Sequence, residues 1–238
     1  MDMRFLRVLA VCLFPLLISS AHADEVVTAE KAISGDAVAL QDGRVLQLAG
    51  VKGALPSALP FLNSLVSDRR LVLQDAATDR YGRVVATAVP EGETKSVQDV
   101  LLRDGMVFVY PVLDDDRLNA WGEIERGARL SKRGFWAEHK DVPAQQAATL
   151  IGKFGFVAGV VSKAERIKNK VFLSFGAPEH PDLTIIVAAR YLRPLKKQGI
   201  DVLSLEGKTV RVRGWVSEAP GPTITITTPY QIECFPIR

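Results

Sequence analysis

Six basic side chains in the second half of the chain could contact a polyanion. Four surround a predicted hairpin and two alternate with valines along a predicted strand: Lys163, Arg166, Lys168, Lys170, Arg211 and Arg213. Because side chains two residues apart in a strand share a face, the last two are predicted to point the same way. With Phe172, Phe175 or Trp215 nearby, they would line a basic, aromatic groove of the kind that small barrels use to bind single-stranded nucleic acid. The alternative is a solvated sheet face above an apolar core.

The distribution of charge along the chain agrees with this placement of the basic residues. Residues 24–140 carry 15 Lys and Arg against 18 Asp and Glu, a net charge of −3, whereas residues 141–238 carry 13 against 8, a net charge of +5. Attraction to a polyanion is therefore expected mainly in the second region. A modest positive charge is also found in many soluble domains with no nucleic-acid role.

The first 23 residues are interpreted as a secretory signal peptide, because two arginines precede a short apolar run that ends in Ala-His-Ala. The protein is then exported, either to the periplasm or out of the cell, with no transmembrane segment in the mature chain. Removal of the leader leaves Cys234 as the only cysteine, so no intramolecular disulfide is expected. The two remaining histidines, His139 and His180, have no cysteine pair beside them, so the spacing of a zinc site is absent.

The elements that must position these residues are short strands and helices in two groups. In residues 24–140 the order is strands, helix, strands, helices, with strands predicted at 25–33, 37–40, 44–51, 70–75 and 83–89 and helices at 56–66, 95–103 and 117–131. In residues 151–238 strands are predicted at 154–161, 171–175, 183–188, 209–215 and 223–227, with one helix at 189–198. Residues 141–150 are small, polar and aperiodic, and are interpreted as a linker. The pattern predicts a mainly β protein with helices: a helix-capped barrel followed by a second, small OB-like barrel.

Several motifs of the first region occur in an order that resembles the staphylococcal-nuclease-like, or thermonuclease, family. The most specific is Asp79-Arg80-Tyr81-Gly82-Arg83, and the closing Arg-Gly-Phe-Trp at residues 133–136 supports it. The other segments are residues 35–38, 45–51, 98–105 and 128–129, and the resemblance extends over about residues 26–138. It implies an OB barrel of five strands capped by three helices.

The resemblance also implies a set of catalytic positions, most of which are changed in this chain. Family members that cut nucleic acids bind one calcium ion with two carboxylates, place a glutamate near the attacking water and hold the phosphate with two arginines. Asp36 matches the first calcium carboxylate and Arg83 one of the arginines, with Arg80 beside it as a further phosphate contact. Gln47 stands in place of the other arginine and Lys52 in place of the second carboxylate.

A test that needs no alignment supports the loss of the calcium-dependent mechanism. Residues 43–67 contain no Asp, no Glu and, after Arg44, no Arg. No shift of register can therefore restore the missing groups from this segment. Calcium takes about six to eight oxygen ligands, and a lysine ammonium at the site would oppose it. No cofactor is expected, and calcium would be needed only if the chain were an active nuclease.

The remaining motif residues also have structural interpretations. Asp36 could be a turn residue between two strands, and Arg83 could pair with Asp75 or Asp79. Three aromatic residues on or after the last helix of the first region are predicted to lie in the core and not to stack on a ligand: Trp121, Phe135 and Trp136.

Three functions follow from these observations. The first is a catalytically degenerate nuclease-like barrel joined to a basic barrel, which together bind single-stranded nucleic acid or another anionic ligand. The second is an active phosphodiesterase that cleaves DNA or RNA, against which residues 43–67 argue. The third is a scaffold that binds protein partners in the periplasm or outside the cell. Whether the chain is an enzyme is left open, and the missing groups favour a binding protein.

Overall fold

The computed structural model describes residues 24–111, 117–177, 180–218 and 221–234, and the predicted signal peptide lies outside them. Strands of the first region are β1 Glu25–Ser34, β2 Ala37–Leu40, β3 Val45–Leu48, β4 Val51–Gly53, β5 Arg70–Thr78, β6 Val84–Pro90 and β7 Val107–Val109. Its helices are α1 Ala58–Val66, α2 Val97–Arg103 and α3 Arg117–Leu130, followed by a 3-10 helix at Gly134–Ala137.

Five of these strands form a closed barrel in the order β1-β2-β3-β6-β5, in which β3 and β6 run parallel and the other neighbours antiparallel. The barrel plus helices that the sequence predicts is therefore confirmed. One predicted strand is divided, because Gly50 takes a φ of 67° and separates β3 from β4. The short β4 leaves the barrel and pairs with β7.

The helices are attached to the barrel by both apolar and polar contacts. Helix α2 begins with a capping box between Ser96 and Asp99. Gln98 is fully buried and bonds two backbone groups of β6, donating to the Ala86 carbonyl and accepting from the Ala88 amide. Trp121 of α3 donates from its indole nitrogen to Asp99, at 3.0 Å. These bonds place α3 along the side of the first domain that faces the second.

The second region contains the remaining strands and one α-helix. They are β8 Val142–Pro143, β9 Phe154–Ile167, β10 Lys170–Ala177, β11 His180–Ala188, α4 Ala189–Lys197, β12 Thr209–Trp215, β13 Thr223–Ile226 and β14 Ile232–Cys234, with 3-10 helices at Ala144–Leu150, Val202–Leu205 and Pro229–Gln231. The sheet runs β13-β11-β10-β9-β12-β14 and has a core of its own. Strand β11 pairs with β13 in parallel, and a single bridge between Ser217 and Thr223 links the chain after β12 to β13. The classification as an OB-like barrel stays a prediction.

Residues 141–150 are part of the second domain and not a free connection, so the linker interpretation is corrected. Val142 pairs with Val157 of β9, and Ala144 and Ala147 are buried in the second core. Small alanine side chains fit where a 3-10 helix approaches the sheet closely. Because they leave no apolar periodicity, the sequence alone did not show this packing.

A third cluster of buried residues joins the two domains. It contains Ala128 and Trp136 from the first domain and Phe156 from β9, with Phe108, Phe135 and Phe154 packed against it. We call this contact region, together with the ion pairs Arg129–Glu233 and Arg213–Glu125 beside it, the domain seam. No helix in the described part of the chain is long and apolar enough to cross a membrane.

Candidate functional site

The motif Asp79-Arg80-Tyr81-Gly82-Arg83 forms the turn between β5 and β6. The Asp79 carboxylate accepts hydrogen bonds from the backbone amides of Tyr81 and Arg83, at 2.8 and 3.0 Å. Gly82 takes a φ of 78°, a conformation that side chains disfavour. Partial desolvation would raise the pKa of Asp79, but the hydrogen bonds from Arg83 and Tyr81 lower it. Aspartate and glycine are thus needed to shape the turn.

Arg83 is held in place by two side chains. Its guanidinium donates to Asp79 Oδ2 from Nε, at 2.8 Å, and to Gln47 Oε1 from NH1, also at 2.8 Å. Gln47 in turn donates to the Asp36 carbonyl, at 2.9 Å. The predicted pairing with Asp79 is confirmed, whereas Asp75 pairs with Arg117. The Arg83 side chain is still 38% exposed, so it can receive an anion without leaving these partners.

An exposed aromatic ring stands between the two arginines of the turn. Tyr81 is 67% exposed, and the guanidinium carbons of Arg80 and Arg83 lie 4.8 and 5.5 Å from its ring centroid. Arg80 is exposed and has no carboxylate partner among the described residues. An exposed ring beside two cations suits a ligand that combines flat rings with phosphates.

Asp36, the candidate metal ligand, is already paired. It is 3% exposed, and Ser34 donates to its Oδ1 at 2.7 Å while Lys52 Nζ lies 2.9 Å from Oδ2. Burial would raise the pKa of Asp36, but the hydrogen bonds from Ser34 and Lys52 and the lysine charge lower it below its usual value. The carboxylate is therefore an anion neutralised by an ammonium group of the same chain.

These residues do not fit a calcium ion. Ser34 donates to Oδ1 of Asp36, and Lys52 places a positive charge 2.9 Å from Oδ2, where a cation would bind. Nowhere in the described ranges do three or more His, Cys, Asp or Glu side chains form a group that could hold a metal. Calcium binding requires several oxygen ligands. The arrangement can bind an anion at Arg80 and Arg83, and no hydrolytic step through a metal is derived for it.

Comparison with known families identifies the first domain. Residues 55–138 match the family model described as staphylococcal nuclease homologue. They include the turn at Arg83, and the five-stranded barrel around them is closed. Residues 55–138 belong to a staphylococcal-nuclease-like domain. The match begins after Gln47 and Lys52, the two positions at which the chain departs most from the family pattern. No curated protein matches the chain.

The structure corrects the prediction that Arg211 and Arg213 bind nucleic acid. They share one face of β12, as alternation predicts, and on that face Arg213 lies against the nuclease-like domain. Arg213 is 1% exposed and pairs with Glu125 of α3 and Glu233 of β14, each at 2.7 Å. Arg211 pairs with Asp141 at 2.7 Å. Arg213 therefore bridges the domain seam and Arg211 pairs with carboxylates of the second domain, so the two guanidiniums do not line a solvent-facing groove.

Lys168 and Lys170 lie at the turn of the β9–β10 hairpin and are exposed, as are Lys163 and Arg166. Lys163 pairs with Glu165 at 2.9 Å, which offsets part of the charge. Phe175 is buried in the second core, whereas Phe172 is half-buried. The groove predicted from these residues together with Arg211 and Arg213 is therefore not formed. The hairpin lysines stay a predicted anion contact, separate from the turn that carries Arg80 and Arg83.

The structure shows important seam residues that the sequence reading missed. Glu125 is fully buried, accepting from the Val109 amide at 2.7 Å and from Arg213 at 2.7 and 3.0 Å. Arg129 donates to Glu233 at 3.0 and 2.6 Å. One signal was available: Glu125 follows Trp121 by four residues on α3, so it lies on the buried stripe of that helix. The predicted burial of Trp121 and Trp136 is confirmed, at 4% and 6% exposure, while Phe135 is half-buried.

Acid is expected to weaken the seam through Glu233. Desolvation would raise the pKa of Glu233, but bonds and charges from Arg129, Arg213 and Arg211 lower it from 4.5 to about 2. A lowered carboxyl pKa stabilises the folded state above pH 4.5, and this contribution is lost as the pH falls through about 2. The loss amounts to roughly 3 kcal/mol for such a shift.

We expect Glu233→Gln to flatten this part of the stability profile. The measurement is urea unfolding followed by circular dichroism between pH 5 and pH 2.5, for both proteins. Wild type should lose stability more steeply than the variant over this window. Parallel profiles would show that Glu233 does not link the seam to pH.

Proposed function

We propose that this chain is an exported, catalytically degenerate member of the nuclease group that binds single-stranded nucleic acid or another anionic ligand. The observation that carries the proposal is the β5–β6 turn, where the guanidiniums of Arg80 and Arg83 both lie beside an exposed Tyr81. Bases stack on aromatic rings, and arginine recognises phosphate with a planar set of donors. Turn geometry set by Asp79 orients this group before a ligand arrives.

The ion pair between Asp36 and Lys52 supports the degenerate part of the proposal. A metal-dependent phosphodiesterase needs a cation to absorb the charge that develops on the phosphoryl oxygens. In this chain an ammonium group is fixed at the carboxylate instead, 2.9 Å away. Lys52 cannot supply the Lewis-acid chemistry of a metal.

Export is proposed from the leader at residues 1–23. Two other functions remain as outcomes of the test: cleavage of DNA or RNA, and binding of a protein partner by the same surface. They differ from the proposal in what happens to an added oligonucleotide. Cleavage shortens it, whereas a scaffold leaves it unbound.

The test is a titration of the purified protein into a dye-labelled single-stranded oligonucleotide, followed by fluorescence anisotropy. It is run with calcium and with chelator, at low and moderate salt. The expected result is a rise in anisotropy that does not depend on calcium and becomes smaller at higher salt, because phosphate contacts release counterions. If the anisotropy falls below that of the free oligonucleotide only when calcium is present, the protein cleaves it, and the proposal of a catalytically degenerate domain is wrong. No change would direct the search to protein partners.

Arg83→Ala is expected to weaken oligonucleotide binding by about 10- to 150-fold, because charge-assisted hydrogen bonds to a phosphate contribute about 1.5–3 kcal/mol. The matched control is Arg70→Ala, which also removes one arginine from the β5–β6 hairpin. Arg70 is exposed and pairs with Glu91 at 2.9 Å. Equal losses in the two variants would indicate general electrostatic attraction and would contradict a site at Arg83.

A further inference from the structure

Trp215 is an exposed aromatic residue at the edge of the domain seam. It is the last residue of β12 and continues the face that carries Arg211 and Arg213. Arg213 is covered by the nuclease-like domain, whereas Trp215 is 58% exposed. The covered face of β12 therefore opens to solvent at this residue.

The Trp215 ring is held in a fixed position by the other domain. Its indole Nε1 donates to the hydroxyl of Tyr110, which follows β7, at 2.6 Å. Tyr110 packs on Phe154 with ring centroids 4.9 Å apart, and Phe154 stacks on Phe108 at 5.6 Å with planes 9° apart. Phe154 also lies directly opposite Trp215 in the β9–β12 pairing. An exposed indole is thus anchored to a row of aromatic rings that runs into the seam.

The β4–β7 pairing brings Lys52 of the Asp36–Lys52 ion pair next to this row. Lys52 lies directly opposite Phe108 in the β4–β7 pairing, so their side chains share a face. Tyr110 follows Phe108 by two residues, and alternation continues the same face toward Trp215. The Lys52 side chain is 54% exposed and has further N–H donors besides the one directed at Asp36. A cationic side chain, the half-buried rings of Phe108 and Tyr110 and the exposed Trp215 therefore occur along one surface.

We propose that Trp215 and Tyr110 form a stacking platform for the unpaired bases of a single-stranded nucleic acid, with Lys52 as a donor to its backbone. The platform needs both domains, since Tyr110 belongs to one and Trp215 to the other. Base stacking on aromatic rings tolerates any sequence, so the site has no strict base preference. Residues 141–238, which supply Trp215, carry a net charge of +5, which favours a polyanion over a neutral sugar. This inference rests on the proposed function and names a second contact for the same ligand.

The chain contains a built-in reporter for this contact. It has three tryptophans, of which Trp121 and Trp136 are 4% and 6% exposed. A base that stacks on Trp215 is expected to quench the tryptophan emission of the full protein, while the two buried indoles contribute a constant background. The probe is an unlabelled oligothymidylate, with a neutral oligosaccharide in a parallel titration.

We expect the oligonucleotide to quench the tryptophan emission of wild type saturably, and this quenching to be lost in Trp215→Phe. Trp215→Ala is expected to bind the oligonucleotide about tenfold more weakly, as measured by anisotropy. Trp215→Phe keeps a ring and should bind within about threefold of wild type, which separates stacking from misfolding. Leu130→Ala, at a 71% exposed apolar position on α3, is the control and should leave affinity unchanged.

Two results would overturn the platform and are distinct from failure of the proposed function. If wild type binds the oligonucleotide but its emission is unchanged and Trp215→Ala binds equally tightly, the platform is wrong while the Arg83 site stands. If only the oligosaccharide quenches, Trp215 is a sugar contact. If the oligonucleotide does not bind at all, both proposals fail.

Discussion

Arg213→Ala is expected to be among the most destabilising single changes in this protein, lowering the free energy of unfolding by about 3–5 kcal/mol. The Arg213 guanidinium donates to both oxygens of Glu125, to the Val109 carbonyl and to Glu233. Glu125 is 0% exposed, so removal of Arg213 leaves a buried carboxylate without its main counter-charge. The carboxylate must then take up a proton or open the seam to water.

Urea unfolding followed by circular dichroism measures this effect. We expect one transition in wild type, because the seam couples the domains, and an earlier or divided transition in the variant. Lys163→Ala is the control: it breaks an exposed pair with Glu165, and such pairs contribute less than about 1 kcal/mol. Removing both charges with Glu125→Gln and Arg213→Met should recover part of the loss. An unchanged midpoint for Arg213→Ala would contradict the role given to the seam.

Gly122→Ala is expected to destabilise the protein by about 1–3 kcal/mol, the usual cost of overpacking a core. Alanine normally stabilises a helix interior relative to glycine, by about 1 kcal/mol. At this position on α3, however, a Cβ would lie 1.9 Å from Cε2 and 2.5 Å from Cζ of Tyr230. The Tyr230 ring cannot turn away freely, because it packs against the first core and lies 4.9 Å from the Arg213 guanidinium.

The same helix offers the matched control for this change. A Cβ at Gly127 would meet nothing within 4 Å, so Gly127→Ala should raise stability by about 0.5–1 kcal/mol. Adding Tyr230→Leu to Gly122→Ala should restore part of the loss by removing the ring. Thermal unfolding of wild type, the two single glycine variants and the double variant tests whether alanine destabilises the protein at position 122 and stabilises it at position 127. Equal stabilisation by Gly122→Ala and Gly127→Ala would show that α3 does not approach Tyr230 this closely.

Much of the local structure was predictable because it depends on neighbours in the chain. Residues 79–83 contain both the aspartate that accepts the turn amides and the glycine with positive φ, so the motif itself specifies the turn. Strand β12 was predicted with its exact bounds from the alternation of valine and arginine. The absence of carboxylates in residues 43–67 was likewise a property of the sequence, and Lys52 is indeed the partner of Asp36.

The environment of Arg211 and Arg213 could not be predicted from their neighbours in the chain. Alternation places Arg211 and Arg213 on one side of β12, but it does not say what lies over that side. A basic face toward solvent and a basic face paired with buried carboxylates have the same pattern. The partner residue Glu125 lies 88 positions away from Arg213, so no local signal connects the two.

The amino-acid sequence by itself determined most of the longer strands, the turn that presents Arg80 and Arg83, and the absence of Asp and Glu from residues 43–67. These depend on backbone preferences, on side-chain alternation and on which residue types are present. Only the tertiary structure decided that residues 141–150 belong to the second domain, that Arg213 is buried and that Trp215 remains exposed beside Tyr110. The physical reason is that burial and ion pairing across the seam depend on how two separate surfaces meet, which no periodicity along the chain encodes.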